Sequence, residues 1–200
     1  MGSRIMHLII AENIGEDLGL NKKRFSYGNL IPDAHMKEPE TKARSHFKIP
    51  ESKFGDERYL GYELFLQKYH KQIKDEAYLG YYSHLISDEL WLKEVYAKYM
   101  LDENNEPKKE LANQYYRDFG ILNGILIKKY RLELEEIDYK KHLNIEEIDN
   151  SLIEEVLKGL NSDFTEPNKS SELGFFEEED IINYITNTIE IVSEKIKVLL

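Results

Sequence analysis

Apolar residues recur every three or four positions along most of this chain. Leu111, Tyr115, Phe119, Leu122 and Leu126 stand at spacings of 4, 4, 3 and 4. That is the period at which side chains share one face of an α-helix. Leu79, Tyr82, Ile86 and Leu90 repeat the pattern. No alternating run of any length competes, and no internal repeat is visible. The rhythm predicts an all-α fold, a single-domain multi-helix bundle of about five to seven helices. At 200 residues with 41% hydrophobic content, one domain with a packed core is the expectation.

The same reading places the elements. A short first helix around Ile5, Leu8 and Ile9 is expected to stop at Gly15, followed by a loop over 15–24. Pro32, Pro39 and Pro50 make 32–56 loop-like. Helices are expected from 56 through the Tyr62, Phe65 and Tyr69 stripe, over 75–99, from near Pro107 to 130, and over 145–160, where Gly159 and Asn161 end it. A Ser-, Asn- and acid-rich loop over 161–174 leads to a last helix over 177–200, with acids in its first turn.

Composition excludes whole classes of function. Lys and Arg number 27 against 38 Asp and Glu, a net charge of −11. Duplex nucleic acid, which needs a basic face, is therefore not an expected partner, and Lys22-Lys23-Arg24 reads as a solvated loop. There is no Cys, which removes disulfides, thiolate metal sites and cysteine nucleophiles. With 14 Tyr and 8 Phe the chain is too aromatic for disorder. Leu8 to Ala11, the most apolar early run, is too short for a membrane span or a signal core. A cytoplasmic location without a membrane span is expected.

Chemistry concentrates in a few fragments. His84 and Asp88 lie four apart in a segment rich in Leu, Ile, Tyr and Trp. One helix face can therefore offer an imidazole and a carboxylate to one metal ion. The ordinary alternative is a pair of buried groups hydrogen-bonded to neighbouring helices. His7 interrupts an otherwise apolar first helix. Asp33 and His35 follow Pro32, and His46 sits in the same irregular region. His70 reads as a surface residue. Tyr27, Tyr62, Tyr81 and Tyr82 read as core before cleft lining.

Taken together, Ser3-Arg4-Ile5-Met6-His7, Gly28 to Asp33, Ser45-His46-Phe47 and Gly80 to Trp91 resemble, in order and spacing, the zinc-dependent phospholipase C family. The likeness is to its intracellular bacterial members rather than the secreted toxins, and it is carried by residues 3–91. Single-strand-specific zinc nucleases share that general fold. The resemblance implies a helical fold with a polynuclear zinc site drawn here from residues 7–88. His7, Asp33, His46, His84 and Asp88 would be ligands, Asp33 also a candidate general base, and Asp88 able to bridge two ions. His35 is close enough to join.

Departures from the family pattern reduce the expected site. The secreted enzymes use a processed N-terminal residue as a ligand, whereas six residues precede His7 here. No histidine lies between His84 and His142. The His142–Glu146 pair matches the missing downstream motif formally, but in a charged stretch that reads as coincidence. Asp118 is another candidate for the missing ligand, or a surface acid. One or two zinc ions are expected, with manganese or iron able to use the same donors. The implied activity is metal-dependent hydrolysis of a phosphate ester or phosphodiester, phospholipid included, by a metal-activated water. A non-catalytic helical protein with a degenerate site, or an interaction module without metal, are the alternatives. An HD-type phosphohydrolase is disfavoured, because no His is followed directly by Asp.

Overall fold

The computed structural model describes residues 2–35, 39–49, 61–135, 137, 143–166, 168 and 172–200. Helices are α1 (Arg4–Asp17), α2 (Lys22–Leu30), α3 (Pro39–Ser45), α4 (Tyr62–Tyr69), α5 (Glu76–Trp91), α6 (Ala97–Met100), α7 (Ala112–Tyr130), α8 (Ile153–Thr165) and α9 (Glu178–Lys197). No strand occurs among the described residues. An isolated bridge between Leu101 and Pro107 is the local exception. None of the described helices is long and apolar enough to cross a membrane. The expected all-α architecture is present, with more helical segments than anticipated because several are short.

Two helices form the centre. In α1, Ile5 through Ala11 and Ile14 are buried, and in α5 every residue from Ala77 to Asp88 is buried. A helix buried on all sides carries no amphipathic stripe, which is why polar residues within these two matter. α2 covers one side of the pair and α9 packs against both. Trp91 lies edge-on to Tyr184 of α9 at 5.1 Å, and its indole Nε1 donates to the Tyr115 hydroxyl at 3.0 Å. Beyond Trp91 the helix widens into a π-turn over Leu92–Tyr96 before α6. Tyr27, Tyr81 and Tyr82 are core residues, as expected.

The contact between α2 and α5 is backbone on backbone. A Cβ on Gly28 would lie 1.9 Å from the Ala77 carbonyl oxygen, and one on Gly80 would lie 2.1 Å from the Phe25 carbonyl oxygen. Only glycine fits at these two crossings. A side-chain clamp fixes the register. Arg24 is buried and donates to both oxygens of Asp75, through Nε at 2.9 Å and Nη2 at 3.0 Å. Asp75 also caps α5 by accepting from the Ala77 amide at 3.0 Å. Such a bidentate pair adds geometric specificity as well as attraction.

Several sequence expectations need correction. α1 runs through Gly15 and ends near Gly19, whose φ of +64° is a left-handed conformation that glycine adopts freely. The expected loop over 15–24 instead contains the start of α2, capped by the Asn21 side chain accepting from the Arg24 amide. Arg24 is therefore an interhelical clamp and not a solvated residue. Within 32–56, Pro39–Ser45 is helical. The segment over 145–152 is not helical from its start. Asp149 turns the chain there by accepting from the Ser151 amide and hydroxyl. α8 begins at Ile153 and passes through Gly159 to Thr165.

Asp118 is a correction of another kind, because it is neither a surface acid nor drawn to the histidines. Its Oδ2 accepts from the amides of Gly174, Phe175 and Phe176 at 2.8, 2.7 and 3.3 Å. Its Oδ1 accepts from the Arg117 guanidinium at 2.8 Å. It anchors the entry to α9 and delivers Phe176 to the aromatic core beside Trp91.

Two predictions follow from these contacts. Gly80→Ala or Gly28→Ala will lower the free energy of unfolding by about 1–3 kcal/mol through forced separation of the two backbones. Gly120→Ala, where a Cβ meets only Asn168 Nδ2 at 3.8 Å, will be neutral or stabilising by up to about 1 kcal/mol. Urea unfolding followed by circular dichroism checks both, and equal effects at the three positions would contradict the packing account. Burial alone would raise the Asp118 carboxyl, but the Arg117 guanidinium and the three amides outweigh it and hold its pKa below the ordinary value. Its stabilisation is therefore complete above the unfolded pKa of about 3.9 and is lost as pH falls through the lower folded value. Asp118→Asn should be less stable at pH 7 and lose less further stability on acidification, read by thermal melts between neutral and acid pH.

Candidate metal centre

Ser3 starts α1 by accepting from the Met6 amide at 3.3 Å, which puts His7 in the helix's buried second turn. His84 comes from the middle of α5, one turn after Gly80. Because α2 lies so close there, the Asn29 carbonyl reaches His84 and accepts from its Nδ1 at 2.8 Å. Asn29 is itself held by donating to the Ser83 hydroxyl at 2.8 Å. Asp33 ends the 3₁₀ turn Ile31–Asp33, which Pro32 starts just after α2. His46 follows the last residue of α3. The Tyr81 hydroxyl donates to the Ser45 carbonyl, and Phe47 packs edge-on to Phe65 at 5.4 Å, so the turn carrying His46 is fastened on both sides. The His46 Nδ1 lies 3.0 Å from the Lys42 carbonyl.

These fastenings orient the rings. With Nδ1–H of His46 and His84 each directed at a carbonyl, both Nε2 lone pairs face inward. The two Nε2 atoms are 3.2 Å apart, and each lies 3.4 Å from Asp88 Oδ2. The His7 ring stacks on His84 with centroids 4.0 Å apart, its Nε2 3.2 Å from Asp88 Oδ1. Asp33 Oδ1 lies 3.6 Å from His46 Nε2. His7, His84 and Asp88 form one group whose ligand atoms are within 4.8 Å of one another, and Asp33, His46 and His84 form a second. The groups share His84, and the two oxygens of Asp88 face in two directions.

Hydrogen bonding does not satisfy this cluster. Neither ring nitrogen of His7 makes a hydrogen bond, and Asp88 Oδ2 accepts none although two imidazoles flank it. A single proton between His46 and His84 would leave those atoms as they are. Each unsatisfied buried polar atom costs about 1–3 kcal/mol. Convergent lone pairs and a bare carboxylate oxygen are what a divalent cation satisfies.

The protonation states of His7, His46, Asp33 and Asp88 agree with that chemistry. Burial pushes the His7 imidazole down, aided by neighbouring His84, and burial also lowers His46. Both are thus neutral, the form that binds metal. Burial works against Asp88 ionisation, but the charge of His84 and the approach of three imidazoles overcome it and hold Asp88 well below the ordinary carboxylate range. Asp33 is lowered likewise, with His84 and His46 overcoming its burial. For His84, burial is outweighed by Asp88 and the pKa rises.

The structure therefore brings together all five residues His7, Asp33, His46, His84 and Asp88. His35 sits at the edge, its Nε2 3.9 Å from Asp33 Oδ1. Asp118 is engaged elsewhere, as described. His142 lies outside the described residues, and Glu146 accepts from Lys68 at the surface at 2.9 Å. His70 is exposed. Two participants escaped the sequence reading. One is the Asn29 carbonyl, a backbone group with no residue signature. The other is the Gly2 amide, which donates to Asp88 Oδ1 at 3.2 Å. The cap at Ser3 turns the preceding residues onto α5, so the backbone before His7 reaches the cluster after all.

Of the five residues, Asp33 also lines a cleft of about 1210 Å³. Asp33, His35 and Gly2 stand at one end, and Tyr96, Tyr115 and Phe119 line it further on. No protein-family model, curated protein or solved structure matches the chain.

Proposed function

We propose that this protein is a divalent-metal-dependent hydrolase of phosphate esters or phosphodiesters. The observation that supports the reading is the convergence of three imidazoles and two carboxylates, with unsatisfied inward-facing atoms, beside an open cleft that Asp33 lines. Three His and two carboxylate donors suit zinc, and manganese or iron tolerate the same set. Asp33, His46 and His84 would hold one ion and His7 with Asp88 a second, because the Nδ1 of His84 is engaged by Asn29 and its one Nε2 lone pair serves a single ion.

When bound, such ions supply positive charge for phosphoryl oxygens and lower the pKa of water toward about 7. The chain's own residues do the rest. Asn29 and Lys42 carbonyls keep the His84 and His46 rings in their ligating tautomers. Asp33, the least buried of the five, faces both the cluster and the cleft. It is placed to accept a proton from an attacking water or to orient it. With ions bound, the local charge would invert, so an anionic substrate would meet less repulsion than the net charge of −11 implies. The resemblance to zinc-dependent phospholipases C points to the same chemistry, phospholipid included.

A non-catalytic scaffold that retains a metal site is the second reading. It is favoured by the engagement of Glu146 and Asp118 in structural contacts, which leaves no further ligands among the described residues. Elemental mass spectrometry on untagged protein decides the metal question. Wild type should carry one or two zinc ions per chain, and His84→Ala/Asp88→Ala should lose them while retaining its helical circular dichroism. A metal-free wild type that stays so after incubation with zinc would overturn the proposal. Zinc-loaded protein without turnover on bis(p-nitrophenyl) phosphate or p-nitrophenyl phosphorylcholine would favour the scaffold.

A further inference from the structure

Beside Asp33, the cleft carries a side chain whose structural contacts leave two donors unused. Arg4 lies three residues before His7 on α1, so the two share a face one turn apart. Its Nε donates to Asp163 Oδ2 at 3.0 Å. Its guanidinium lies against Gly159, since a Cβ there would meet Cζ, Nη1 and Nη2 at 3.0, 3.2 and 3.2 Å. Three near-equal distances mean that the plane faces the α8 backbone. Asp163 stands one turn after Gly159, and its other oxygen accepts from Asn123 Nδ2 at 3.1 Å.

A half-exposed ion pair of this kind adds little stability, but it holds a planar fork in one orientation. The Nη1 and Nη2 donors have no partner among the described residues. Arg4 and Asn123 both line the cleft with Asp33. Asn123 is 8% exposed, and its Oδ1 has no hydrogen-bond partner. The cleft wall therefore carries unused guanidinium donors, linked through Asp163 to an amide whose buried oxygen is unsatisfied. Lys42 and Lys48 also line it, alongside the acids Asp33 and Glu106, so basic side chains are in slight excess there.

We propose that Arg4, oriented by Asp163 and Gly159, binds a second anionic group of the ligand, so that this cleft takes phosphate esters bearing a further phosphate or carboxylate. The inference rests on the phosphoester reading of the cluster and adds the substrate class. A cationic arm would be repelled by the guanidinium and is disfavoured, and a neutral arm would leave its two free donors unused. The Asn123 oxygen would accept from a hydroxyl or amide neighbouring that anionic group.

Isothermal calorimetry on the zinc-loaded full chain tests this with two probe series. These are alkylphosphonates and ω-carboxyalkylphosphonates of matched length, which share the head and differ in the terminal charge. Wild type should bind the best carboxylated probe about tenfold more tightly than its neutral counterpart, as expected for a charge-assisted bidentate contact. Arg4→Gln removes the charge. Gly159→Ala keeps it but displaces the plane, at a helix position where Ala is tolerated. Both variants should bring the ratio close to unity, with bound zinc, thermal stability and alkylphosphonate affinity unchanged. Equal affinity for the two series in wild type would overturn the subsite, as would a preference that survives both variants. Zinc-loaded protein that binds neither series would overturn the hydrolase reading along with it.

Discussion

The close approach of α2 to α5 sets the geometry on which the rest of the structure depends. Gly28 and Gly80 let two backbones touch where any side chain would hold them apart. This contact places the Asn29 carbonyl at His84 and sends the chain, through Pro32, to leave Asp33 facing His46. Arg24 and Asp75 fix the register of the same pair. A core interaction and a site interaction are thus one interaction, and loosening the first displaces the second.

A second constraint is electrostatic. α1 and α5 are buried on all sides, yet between them they bury two imidazoles and a carboxylate, and α3 adds a third imidazole through His46. Uncompensated polar groups in such a position are expensive, and the attraction between Asp88 and its neighbours recovers part of the cost. What remains is a set of atoms aimed at one another without enough protons between them. A cation among them would satisfy those atoms. On the proposed reading, the cluster is a prepared site rather than a packed polar core.

Much of this was legible in the sequence, for identifiable reasons. The four-residue spacing of His84 and Asp88 inside an apolar run fixed their common face and their burial. His7 stood out because an apolar helix has no use for a histidine. Asp33 and His46 were found through the resemblance of short fragments, and the folded chain brings them to the same place. Helix ends were less legible. Gly15 and Gly159 read as stops, yet both are interior, because a neighbouring Lys22 or Arg4 side chain lies over them. Asp118 read as an optional ligand because a carboxylate's partners were backbone amides more than fifty residues away, and amides leave no sequence mark. The Gly2 and Asn29 backbone groups were invisible for the same reason. Arg24 read as solvated because its partner Asp75 is distant in sequence.

The central claim is that five side chains from α1, the turn after α2, the turn after α3, and α5 converge on a bound metal. Anomalous diffraction at the zinc absorption edge, from crystals grown with zinc, tests it most directly. The account predicts anomalous density about 2.0–2.2 Å from Nε2 of His46 and His84 and from the carboxylates of Asp33 and Asp88, with His7 on the opposite side of Asp88. Density confined to surface carboxylates, with the five side chains closed on one another by hydrogen bonds, would contradict it.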